Sequence, residues 1–145
     1  MGATTDHDRR LTLLRAILAF SIVSTALHYT HNFVKVDDYP GGFPGDTAIQ
    51  IAIIVFWPLL TAIGLLGYRL YRDRRFYRAH VCLAIYSVTG ISTLGHFLNG
   101  TPKIPAFFFA TIFTDGLAGL SVLAFVLWSA RTQPRPAPRG ATASA

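Results

Sequence analysis

A chain of 145 residues with 52% hydrophobic and only 14% charged residues falls well below the roughly 25% charge of a soluble domain, which excludes an ordinary water-soluble fold. The formal charge of +6 does not point to nucleic acid. The basic residues flank the apolar blocks as membrane anchors do, and no aromatic-basic module accompanies them.

The apolar residues fall into four long blocks, each near the roughly 20 residues that carry a helix across a bilayer. They predict an all-α, polytopic membrane protein: an antiparallel bundle of four transmembrane helices in one domain, 11–130. A polar leader, 1–10, ends in Arg9 and Arg10. Span one follows over about 11–31. It carries a polar face and no small-residue cleavage pattern, so it reads as a retained helix. Its polar residues are Ser21, Ser24, Thr25, His28, His31 and Asn32. Steps of three and four put them on one side.

The connection HNFVKVDDYPGGFPGD is acidic and rich in turn formers (Pro40, Gly41, Gly42, Pro44, Gly45). Span two, about 47–68, is the plainest, with Pro58 inside it and Gly64 and Gly67 available for close packing. The short RLYRDRRFYR connection makes spans two and three an antiparallel pair. Span three, about 79–98, repeats the polar stripe with Cys82, Tyr86, Thr89, Gly90, Thr93 and His96. Cys82 is the only cysteine, so no internal disulfide forms. NGTPK turns the chain into span four, about 105–128, with Thr111, Thr114, Asp115 and Gly119. The tail, 131–145, has the composition of a disordered segment.

All eleven arginines lie on one side of this bundle and only Lys35 and Lys103 on the other. The asymmetry predicts a multi-pass protein of the cell membrane, in a bacterium the inner membrane, with both termini cytoplasmic.

Three histidines, His28, His31 and His96, fall near the outer surface. If spans one and three pack together, the three rings converge as a candidate metal site. Imidazole suits zinc, copper or iron, and three ligands leave a position for water or substrate. Asp37, Asp38 or Asp46 could complete or orient the shell. Haem b between His96 and a first-span histidine is a less favoured alternative. The plain alternative is capping and hydrogen bonding at the interface. His7 and His80 carry no assigned role, His80 being read as interfacial.

Asp115 lies near the midplane, where an ionised carboxylate is expensive, so it must be paired, hydrated or neutral. Hydroxyls of Tyr86, Thr89, Ser21 and Ser24 are its expected partners. It is a candidate proton donor or acceptor, placed at the floor of an outward-facing polar cavity with the histidines at its mouth. No reaction follows from these residues alone. Three classes stand: a protein binding a metal ion, cofactor or small apolar ligand, which we favour; a small membrane enzyme acting on a lipid-like substrate; and an accessory subunit. The bilayer is the certain partner, and a homo-oligomer or larger membrane complex is compatible with the size.

Overall fold

The computed structural model describes residues 2–39, 45–98 and 100–133. Pro40 to Pro44, Asn99 and the tail beyond 133 lie outside the described residues, and so do the readings of those segments. Helix α1 (Gly2–Val34) runs from the polar leader into the first apolar block without a break. A 3-10 turn, Val36–Asp38, follows it. Helices α2 (Asp46–Arg72), α3 (Phe76–Ile91) and α4 (Ala106–Thr132) complete the bundle, and a 3-10 segment, Ser92–Leu98, extends α3. All four helices are long and apolar enough to cross a membrane, α3 together with its 3-10 extension.

The helices form a ring in which α1 packs on α2 and α4, and α3 packs on the same two. The hairpins α2–α3 and α3–α4 are those that the short connections predict. Spans one and three, whose packing together was the condition for the three histidines to converge, stand diagonally. Two glycines explain why α4 takes the place beside α3. A Cβ on Gly119 would sit 2.6 Å from the Ser87 carbonyl oxygen and 2.7 Å from the Ile91 nitrogen, and one on Gly90 would strike the Asp115 carbonyl. The two backbones touch, as small residues permit in membranes.

The interior has two halves. Toward the arginine-bearing end it is apolar, built on Leu14, Leu18, Leu83, Val122 and the rings of Tyr71 and Tyr86. Toward the opposite end it is polar: Ser24, His28, Asn32, Thr93, Thr111 and Asp115 are all buried. Large apolar side chains such as Phe20, Ile54, Phe56, Phe113 and Leu117 point outward. Such a surface suits hydrocarbon and would be a liability in water.

The connection from α2 to α3 closes with paired C-terminal hydrogen bonds. The Arg75 amide donates to the Leu70 carbonyl (2.8 Å) and the Arg74 amide to the Tyr71 carbonyl (3.1 Å). This Schellman closure puts its middle residue in the left-handed region, normally a glycine position. Here it is Arg74, at φ 59°, at a cost of about 1–2 kcal/mol.

Candidate functional site: a buried imidazole pair

His28 and His96 reach each other across the bundle diagonal. On α1, Ser21, Thr25, His28 and Asn32 are buried along one face, as their steps of three and four require. His96 arrives by a different route. Ser92 Oγ donates to the Thr89 carbonyl (3.0 Å) and Thr93 Oγ1 to the Gly90 carbonyl (2.7 Å), each three residues back. Such bonds compete with the α-helical pattern, and the backbone tightens into the 3-10 segment from Ser92. A 3-10 helix advances roughly 20° more per residue than an α-helix. Over the five steps from Ile91 this turns His96 by about 100° from its α-helical direction, toward α1.

The two Nε2 atoms lie 3.3 Å apart. Asn32 Nδ2 is 3.2 Å from the same His96 Nε2, and Asn32 Oδ1 is buried with no hydrogen-bond partner among the described residues. On the far side of the His28 ring, Nδ1 is 3.3 Å from Thr111 Oγ1. That hydroxyl already donates its proton to the Phe108 carbonyl at 2.6 Å. It can therefore only accept, so His28 carries its proton on Nδ1 and presents a bare Nε2 lone pair to His96.

His31 follows a different course. Its ring stacks on Phe108 (centroids 3.7 Å apart, planes at 20°), and its Nδ1 is 3.0 Å from the Tyr39 hydroxyl. Tyr39 caps the pair from outside: it is 6% exposed, with its ring 4.8 Å from that of His96. Burial, reinforced by the nearby Asp38 charge, pushes its hydroxyl up to about 12. The capping turn is tied down where the Lys103 amide donates to the Asp38 carbonyl (3.3 Å). Asp37, Asp38 and Asp46 are exposed. Among the described residues, no group of three His, Cys, Asp or Glu side chains is placed to hold a metal ion.

Asp115 sits one turn below Thr111 on α4, about 6 Å along the axis. Its expected hydroxyl partners are engaged elsewhere or turned away. The Tyr86 hydroxyl donates to Ser21 Oγ (3.1 Å), and Ser24, which faces the carboxyl, is held by Thr114 Oγ1 at 3.0 Å. Among the described residues Thr89 Oγ1 has no hydrogen-bond partner, and neither has either Asp115 carboxyl oxygen. The expected open cavity is instead closed packing, since His28 and Asp115 are both 0% exposed.

Sequence reasoning brought His28 and His96 together on the condition that their spans pack, and assigned no role there to Asn32 or Thr111. Asn32 lies one turn after His28 and Thr111 one turn before Asp115, and that spacing was the available signal. Tyr39 was read only as one of several aromatics that could line or cover a ligand or anchor at the interface, because its position over the pair depends on the 3-10 turn.

Fold and site together define a small all-α membrane protein with four candidate transmembrane helices and a buried imidazole pair near one end of the bundle. No family model, curated protein or solved structure matches the chain.

Proposed function

We propose that this protein binds a transition-metal ion at His28 and His96, near the outer face of the cell membrane, with both termini in the cytoplasm. One observation carries the reading: the Nε2 atoms of His28 and His96 lie 3.3 Å apart. Two metal–nitrogen bonds of 2.0–2.1 Å at a tetrahedral angle set their nitrogens roughly 3.3–3.4 Å apart. Haem fits less well, since axial nitrogens on opposite faces of an iron porphyrin stand roughly 4 Å apart, two bond lengths end to end. The unpartnered Asn32 Oδ1 supplies a third donor once its amide turns over. Such a nitrogen–oxygen set suits zinc, copper or iron. Thr111 fixes the His28 tautomer from behind, as outer partners of metal-bound imidazoles do. His31, engaged by Tyr39 and Phe108, shields the site and is not needed as a ligand.

A second reading, an enzyme for a lipid-like substrate, draws on a groove of about 250 Å³ between α1 and α4. Phe20, Leu27 and Phe107 wall it, and Ser24 and Thr111 reach it from the polar interior. Asp115 would then serve as proton donor or acceptor.

Metal content after zinc or copper loading and dialysis tests the first reading. The parent and His31→Ala retain about one ion per chain, while His28→Ala and His96→Ala lose at least tenfold. Equal content in parent and His28→Ala contradicts it.

A further inference from the structure

At the arginine-bearing end, opposite the imidazole pair, a cavity of about 360 Å³ opens between the start of α1, the α2–α3 connection and the end of α4. Its wall includes Asp6, His7, Arg10, Tyr71, Arg74 and Gln133. We propose that this cavity binds a phosphate-bearing group at headgroup depth, with Arg74 as its principal anchor.

The floor is built from buried, hydrogen-bonded side chains. Tyr71 and Ser129 are both fully buried, and their hydroxyls lie 2.9 Å apart. Gln133 Nε2 donates to Ser129 Oγ at 3.1 Å, and His80 Nε2 lies 3.1 Å from the same oxygen. The His7 ring stacks on Tyr71, centroids 5.8 Å apart and planes at 11°. The one acid in the wall is already used: Asp6 Oδ2 accepts from Arg10 Nε at 2.8 Å. Arg10 also lies 4.6 Å over the ring of Trp128, which is partly exposed to the surroundings. An arginine held against a tryptophan at a helix end marks the level of lipid headgroups.

Arg74 differs from Arg10 and Arg72, the two arginines that form ion pairs among the described residues. Arg72 pairs with Asp73 at 3.3 Å. The Arg74 guanidinium has no ion pair or hydrogen bond among the described residues. The Arg74 backbone stands at φ 59°, where glycine would be relaxed. An arginine kept in a strained backbone position on a cavity wall, with no ion pair among the described residues, fits a ligand better than it fits a turn. Arginine presents a planar fork to phosphate oxygens, and basic pockets between transmembrane helices suit anionic headgroups.

The strain makes the test selective, because glycine relaxes the turn while removing the anchor. Thermal unfolding is followed in zwitterionic detergent micelles with added phosphatidylglycerol, phosphatidylcholine, glycerol phosphate or inorganic phosphate. Phosphatidylglycerol is expected to raise the melting temperature of the parent above the value in phosphatidylcholine. Arg74→Gly is expected to melt higher than the parent without anionic lipid, yet to lose most of that lipid-dependent rise. Arg74→Gln, which keeps the strain, is expected to lose the rise as well. Arg78→Gln removes the same charge from the neighbouring helix outside the cavity and is expected to keep it. A rise with the soluble phosphates assigns the site to a free phosphate compound; a rise with the lipid alone assigns it to a headgroup. No rise with any phosphate, or equal losses in Arg74→Gln and Arg78→Gln, overturns the proposal.

Discussion

His28 and His96 meet at 3.3 Å although their helices stand diagonally across the bundle. Contact across a diagonal needs one side chain to leave its helix's own face. The 3-10 segment Ser92–Leu98 does this for His96, and the hydroxyls of Ser92 and Thr93 are what tighten it. The apposition of two ring nitrogens is thus written into a local backbone preference, not only into the packing of two helices.

Thr111 sets the proton on His28 Nδ1 by accepting there while donating to Phe108. Thr111→Val removes the acceptor and frees the tautomer. Zinc affinity, measured by competition with a chromophoric chelator, is expected to fall about 10–100-fold. Thr111→Ser, which keeps the hydroxyl, should stay close to the parent.

Asp115 presents two buried oxygens with no hydrogen-bond partner among the described residues. Leucine keeps the branching at Cγ and removes both oxygens. Asp115→Leu is therefore expected to raise stability by about 1–3 kcal/mol, whereas Asp115→Asn, still polar, gains little. Thermal unfolding of the three proteins in one detergent gives the order. A less stable leucine variant would mean that the carboxyl is held by a partner.

Tyr39 lies between the spans and titrates near 12 in place of its ordinary 10.0 because it is buried. The folded protein keeps this proton where an unfolded chain has begun to release it. The contribution to stability is intact below about pH 10 and is lost as pH rises toward 12. Alkaline unfolding should therefore steepen in that window. Tyr39→Phe should flatten it, while losing about 0.5–1.5 kcal/mol at neutral pH with the hydrogen bond to His31.

Gly119 meets backbone on α3, which cannot give way as a flexible side chain would. Gly119→Ala is expected to cost about 1–3 kcal/mol and to separate α3 from α4. Gly95 has nothing within 4 Å of an added Cβ, so Gly95→Ala should be neutral. A disulfide trap between α3 and α4, alongside unfolding, reads both effects.

The four helices were legible because apolar blocks of membrane length admit few other structures. The hairpins were legible from their short connections. The ring order was not. A polar stripe states which side of a helix turns inward but not which neighbour it meets, and Gly90 and Gly119 decide that by contact. The depth of His28 and His96 could be counted along the spans. The rotation of His96 could not, because the stripe was read on an α-helical period that ends at Ile91. His31 shares a helix side with His28, yet Phe108 and Tyr39 claim its ring. Both partners come from other segments, so the spacing of the two histidines carries no trace of them.

X-ray absorption at the metal edge of the zinc- or copper-loaded protein bears most directly on the pairing of His28 with His96 as ligands. We expect a first shell of two imidazole nitrogens with oxygen completing it, metal–nitrogen distances of about 2.0–2.1 Å, and loss of imidazole scattering in His96→Ala. A shell of three imidazoles would return His31 to the site, and a shell with none would mean that the ion is held elsewhere; either result contradicts the account.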